Sequence, residues 1–238
     1  MIRPEAVLFD LDDTLYPERA FVDGGFRAVG RLLAPIVGRS APSIARRLRT
    51  LHERDGRGRL FDTLLAELGR PDDPDLVLAA LLAYRMHRPR LRPFPDVLET
   101  IDRMRSTGIV TGLVSDGLAS VQWRKIGAMP AIARRLDVVV MTDELGPGYA
   151  KPSPVPFRVA CRLLHVEPAR TAYVANDPRK DFAGARSAGL ATIRSGRLPD
   201  EGGGTTIQAA DGSDADVDID GFAAIGRLLL GDLPDSRV

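Results

Sequence analysis

Asp10, Asp12 and Asp13 crowd into one turn directly after the apolar run Ala6-Val7-Leu8-Phe9. In extended backbone, residues i and i+2 share a side, so Asp10 and Asp12 converge while Asp13 turns elsewhere. Two like charges held that close repel and raise one pKa, unless a cation lies between them. On this stretch alone, an acidic turn closing a buried strand is the plain alternative. Three later clusters bear on the choice: Ser115-Asp116-Gly117, Lys151-Pro152, and Asn176-Asp177 with Asp181. Acid, hydroxyl, ammonium and acid are together the inventory for handling a phosphate with a divalent cation.

These clusters can act together only if the chain brings them to one edge. Val7 to Phe9 reads as a fully buried strand of the kind found in the middle of a parallel sheet. From about Pro17 to Arg92 the apolar period becomes helical. Phe21, Val22, Phe26, Val29, Leu32 and Leu33 make one stripe, softly interrupted at Gly24-Gly25. Ser40 with Pro42 opens a second helix, Leu60 to Leu68 forms a third ended by Gly69, and Asp73-Pro74 starts a fourth that runs to about Met86.

After the Pro-rich exit Pro89 to Pro95, strands and helices alternate. Strands are expected at Ile109 to Val114, Asp137 to Met141, Thr171 to Ala175 and Leu190 to Ile193. Helices are expected at Asp96 to Ser106, Val121 to Ala128, Val155 to Leu164 and Asp181 to Ala188. Alternation of this kind implies a parallel sheet covered on both faces and joined by right-handed crossovers. Ser195 to Asp216 reads as a loop, Val217 to Ile219 as an edge strand, Phe222 to Leu230 as a closing helix, and the last residues as frayed. In an open parallel sheet, ligands sit beyond the carboxyl ends of the strands, and the polar clusters fall there.

Bulk composition narrows the partners. The chain has 238 residues, 44% hydrophobic and 27% charged, enough for one large domain or a domain carrying an insertion. A formal net charge of +1 gives no reason to expect nucleic acid or an anionic membrane as partner. The N-terminus lacks the basic and apolar regions of a signal peptide, so a cytoplasmic location is expected. Cys161 cannot form an internal disulfide and reads as a small buried residue. His52, His87 and His165 show no ligand spacing, and Trp123 and Tyr149 read as packing residues, with Tyr149, next to Lys151, lining the mouth of the site as the alternative. Arg39, Arg46, Arg47, Arg49, Arg54, Arg57 and Arg59 read as a solvated helix face, with steering of an anionic substrate as the alternative. Of the 33 basic residues only Lys125, Lys151 and Lys180 are lysines, so a lysine here can mark a chemical requirement.

Asp10-Leu11-Asp12-Asp13-Thr14, Ser115-Asp116-Gly117, Lys151-Pro152 and Asn176-Asp177 to Asp181 resemble, in order, the four motifs of the haloacid dehalogenase-like (HAD) hydrolases. The resemblance implies a Rossmann-like doubly wound α/β core over 1–16 and 93–238, with an all-helical cap inserted at 17–92. It implies a Mg²⁺-dependent phosphatase acting on a small phosphorylated metabolite through an aspartyl-phosphate. Asp10 would be the nucleophile and Asp12 the acid and base, protonated near neutral pH because the site is crowded with acids. Ser115 and the neighbouring backbone N–H of Asp116 would bind the phosphoryl oxygens, and Lys151 would balance charge. Asp10, the carbonyl of Asp12 and Asp177 would hold Mg²⁺, with Asp181 one layer behind.

Two positions depart from the family pattern: Asn176 stands where many relatives have glycine, and the loop Gly146 to Ala150 before the lysine is longer. A phosphomutase is the nearest alternative. A 2-haloacid dehalogenase has no alkoxide to protonate and, in this family, lacks the second aspartate. A non-catalytic binding domain would not need all five reacting groups. Phosphonate cleavage would need a cap lysine, and none lies between Pro17 and Arg92.

Overall fold

The computed structural model describes residues 3–196, 215–219 and 221–230. They separate into two compact units, Met1–Pro17 with Arg92–Val238, and Glu18–Leu91. The first unit holds a six-stranded sheet of β1 (Ala6–Phe9), β2 (Val110–Ser115), β3 (Val138–Met141), β4 (Thr171–Ala175), β5 (Ala191–Ser195) and β6 (Val217–Ile219). The order is β3-β2-β1-β4-β5-β6, with every neighbouring pair parallel. The chain leaves β1 toward one side and returns to its other side at β4. The β1/β4 boundary is therefore a topological switch point, where sheets of this class open a crevice. Phe9 is in register with both Leu113 and Val174, so the residues that follow these strands reach the same edge.

The second unit is helical: α1 (Glu18–Val37), α2 (Ala41–Asp55), α3 (Leu60–Glu67) and α4 (Pro74–Met86). Its core joins Val22, Phe26, Val29 and Leu33 of α1 to Leu48, Leu64 and Ala80 of the other three. The expected interruption at Gly24-Gly25 does not occur, and α1 runs through both. The two glycines serve close packing instead. A Cβ at Gly24 would lie 2.6 Å from His87 Nε2, and one at Gly25 would enter the ring of Tyr84. Arg47, Arg49, Arg54, Arg57 and Arg59 pair with Glu67, Asp23, Asp55, Glu18 and Asp62, which agrees with a solvated, ion-paired surface.

Among the described residues of the sheet unit the remaining α-helices are α5 (Val97–Ser106), α6 (Ala119–Gly127), α7 (Pro130–Ala133), α8 (Val155–Leu164), α9 (Phe182–Ser187) and α10 (Phe222–Leu230). Successive strand residues face opposite sides. Leu8 packs with Phe157 of α8 and Phe182 of α9, while Phe9 stacks on Phe222 of α10 at 5.6 Å. Both faces are thus covered, as the continuous apolar runs require. Cys161 lies in the Leu8 cluster, and burial pushes its thiol pKa up, which disfavours the nucleophilic thiolate.

The short α7 was not expected from the sequence, since four residues carry too little periodicity to read. Ser195, expected in a loop, ends β5 because it pairs with Ile219. Most of the expected loop, 197–214, and the expected frayed end, 231–238, lie outside the described residues. Trp123 and Tyr149 are 42% and 39% exposed rather than packed, and the Trp123 indole N–H donates to Glu144 at 2.7 Å.

Candidate active site

The backbone after β1 stays tied to the sheet for one more residue, as Asp10 N–H donates to Val174 O at 2.9 Å. It then turns sharply. Asp13 takes the left-handed conformation (φ 56°), which aspartate tolerates better than most residues, and its N–H donates to Tyr16 O. This fits the reading of Asp13 as the turn residue among the three acids.

Asp10 is buried between two other strand ends. Lys151 Nζ donates to Asp10 Oδ1 at 2.5 Å and to Asp181 Oδ1 at 2.7 Å, and its side chain is fully buried. Tyr173, on β4, donates its hydroxyl to Asp181 at 3.1 Å and accepts from Lys151 at 3.0 Å. Burial alone would discharge Lys151, but Asp10 and Asp181 hold its pKa well above the lysine range. Burial pushes the Asp10 pKa up to about 6 against the pull of Lys151, with Asp181 adding to the rise. The pair is therefore charged at neutral pH. Asp10 Oδ2 is buried and, among the described residues, has no hydrogen-bond partner.

Asp12 has a different environment. Lys125 Nζ, from α6, lies 2.7 Å from each of its carboxylate oxygens; Gln122 Nε2 lies 3.0 Å from Oδ2, and the Tyr16 hydroxyl donates to Oδ1. Burial raises the Asp12 pKa, but Lys125, with hydrogen bonds from Gln122 and Tyr16, brings it below the usual carboxylate value. The expectation that acidic crowding keeps Asp12 protonated is not met here, because its nearest charge is an ammonium rather than a carboxylate.

Ser115 ends β2, buried, with its Oγ 2.7 Å from Gln122 Nε2. The Asp116 carboxylate turns away, accepting from Thr142 Oγ1 at 2.8 Å and from Lys151 N–H at 3.1 Å. Any contact of Asp116 with an anion would therefore use its backbone. The longer loop before Lys151 does not displace the lysine, because Asp116 fixes its backbone and two acids fix its side chain.

Beyond β4, Asn176 is not left-handed, although asparagine could adopt that conformation. Its Oδ1 accepts from Thr14 at 3.3 Å, tying this loop to the turn after β1. Asp181 Oδ2 accepts from Asp177 N–H at 3.0 Å, which places Asp181 behind Asp177. The Asp177 carboxylate is held in a fork by Arg179, at 2.8 and 2.7 Å. Although burial raises the Asp177 pKa, Arg179 brings it below the ordinary value.

A hard divalent cation fits this donor set in part. The unpartnered Asp10 Oδ2 is a buried acceptor suited to a cation, and the Arg179 guanidinium stands in for positive charge at Asp177. Among the described residues no three acidic or imidazole side chains already converge on one point, so a third ligand would be a carbonyl, such as that of Asp12.

All seven sequence-derived residues belong to one hydrogen-bonded chain. It runs from Asp12 through Gln122 to Ser115 and Asp116, then to Lys151, Asp10, Asp181 and Asp177. Sequence reasoning did not assign Lys125, Gln122, Tyr16, Tyr173 or Arg179. The scarcity of lysine was a usable signal for Lys125; the others carry none in a single sequence.

A family profile described as haloacid dehalogenase-like hydrolase matches residues 4–189. The chain belongs to this family. This haloacid dehalogenase-like hydrolase is 36% identical over 196 residues to the glyceraldehyde 3-phosphate phosphatase of Methanopyrus kandleri, covering 80% of this chain and 83% of that protein. Its fold is shared with a HAD phosphatase from Thermococcus onnurineus (23% identity, TM-score 0.61, 95% of this chain and 98% of that one). It is shared equally with a 2-haloacid dehalogenase from Pseudomonas syringae (24% identity, TM-score 0.61, 95% and 98%). The fold thus serves both chemistries, and the side chains must separate them. Among the described residues no helix is long and apolar enough to cross a membrane.

Proposed function

We propose that this phosphatase hydrolyses a small phosphorylated metabolite through a phosphoryl group carried on Asp10, with Mg²⁺ as cofactor and the helical unit as its cap. The observation that carries the reading is Asp10 itself: a buried carboxylate, held ionised and oriented by Lys151 on one oxygen, with the other oxygen unpartnered. Such a group is a competent nucleophile. The relative in Methanopyrus kandleri supports phosphate over halide, as does the presence of Asp12, which a dehalogenase would not need.

In the first half-reaction Asp10 attacks phosphorus, the bond to the leaving oxygen breaks, and that oxygen takes its proton through Asp12, which must first gain it from water or a substrate monoanion because Lys125 favours its carboxylate form. In the second, water attacks phosphorus, Asp12 takes its proton, and Asp10 is released. Ser115 Oγ and the backbone N–H beside it orient the phosphoryl oxygens, and Lys151 offsets the charge on Asp10 and the transferring group. Asp10, the Asp12 carbonyl and Asp177 would hold Mg²⁺, which when bound supplies Lewis-acid stabilisation of negative charge on the phosphoryl oxygens. Closing the cap would exclude water and select the substrate.

The test is release of phosphate from 4-nitrophenyl phosphate with Mg²⁺, with chelator, and with Asp10→Asn, followed by a panel of metabolites headed by glyceraldehyde 3-phosphate. Turnover that needs Mg²⁺ and Asp10 supports the reading. Turnover that survives Asp10→Asn refutes it.

A further inference from the structure

We propose that Lys125 and Gln122, one turn apart on α6, are positioning residues that clamp the Asp12 carboxylate at a fixed distance from Ser115 for proton transfer. The inference rests on the mechanism proposed above, since it assigns the groups that serve the acid and base of that mechanism. Three observations support it. Lys125 Nζ straddles both oxygens of Asp12 at 2.7 Å and is 4% exposed, so the carboxylate cannot rotate without losing a bond to a buried charge. Gln122 Nε2 lies 3.0 Å from Asp12 Oδ2, 2.7 Å from Ser115 Oγ and 2.7 Å from Asp116 O, so a single amide spans the acid and base and the phosphate-binding strand end. Residues i and i+3 share a helix face, so α6 delivers both groups as one rigid unit.

A purely structural role explains this arrangement poorly. A buried ion pair adds little net stability compared with apolar residues of similar volume, because both charges must be desolvated. A clamp, by contrast, suits chemistry in which a displacement of about 1 Å costs on the order of 100-fold in rate. The choice of residue fits as well. In a chain that otherwise fills positive positions with arginine, the compact ammonium of Lys125 can face both oxygens of one carboxylate as a point charge.

The full-length enzyme with Mg²⁺ is compared with Lys125→Met, Gln122→Met, Lys125→Arg and Asp10→Asn, using an alkyl phosphate and 4-nitrophenyl phosphate. The alkoxide needs the proton from Asp12, whereas nitrophenolate leaves without it. Lys125→Met is expected to lose about 100-fold in kcat/KM on the alkyl phosphate and only a few-fold on the aryl one. Gln122→Met should lose less, in the same pattern, and it carries the test if Lys125→Met fails to fold. Lys125→Arg should recover part of the loss. Equal losses on both substrates, or none, would overturn the clamp while an inactive Asp10→Asn leaves the phosphatase mechanism standing. An active Asp10→Asn would overturn both.

Discussion

Lys151 Nζ lies 2.5 Å from Asp10 Oδ1 and 2.7 Å from Asp181 Oδ1, so one buried ammonium bridges two carboxylates that follow two different strands and offsets part of their charge. Removing it as Lys151→Met leaves both acids, 2% and 0% exposed, without their shared ammonium. We expect a destabilisation of about 3–5 kcal/mol by urea denaturation at pH 7.5, together with loss of turnover. A variant as stable as the parent would show that the pair is not buried as described.

The raised pKa of Asp10 has a stability consequence with a definite sign. Its folded value of about 6 lies above the ordinary 3.8, so its contribution is fully present below pH 3.8 and is lost as pH rises through 6. In chelator, Asp10→Asn should therefore gain stability as pH increases, approaching about 3 kcal/mol at pH 8 and vanishing near pH 4. Urea titrations at several pH values measure this, and a gain that shrinks with pH contradicts it.

Arg179 occupies both oxygens of Asp177 with a side chain that is 66% exposed. If Asp177 holds Mg²⁺, the guanidinium competes for the same carboxylate. Arg179→Ala should then bind Mg²⁺ about threefold more tightly by calorimetry, a modest gain because an exposed pair is weak. Weaker binding would mean that Arg179 supports the cation site rather than competing for it.

Gly184 opens the approach of α9 to the loop after Lys151, since a Cβ there would collide with the Pro152 carbonyl. Gly184→Ala is expected to cost about 1–3 kcal/mol, because neither backbone can yield without moving the lysine loop. Thermal unfolding checks this, and a neutral variant would contradict the packing.

The fold was legible where apolar runs and turn residues reinforced each other. Val155–Leu164, Thr171–Ala175 and Phe222–Leu230 have the bounds that their patterns suggest. The reading faltered where a local signal has two physical uses. Gly24-Gly25 suggested a break, yet served the approach of Tyr84 and His87. The site was legible as a set of residue types at strand ends, and those residues do lie on one hydrogen-bonded chain. The charge state of Asp12 was not legible. It depends on Lys125, a residue 113 positions away whose proximity only the crossover from β2 into α6 creates.

The central claim is that Asp10 carries the phosphoryl group. Acid-quenched enzyme from turnover with Mg²⁺ and substrate, reduced with borohydride and mapped by mass spectrometry, tests it most directly. The mechanism predicts reduction of the acyl phosphate at Asp10 to the homoserine side chain, absent without substrate and absent in Asp10→Asn. Steady phosphate release with an unmodified Asp10 peptide, or with the label on another residue, would contradict it.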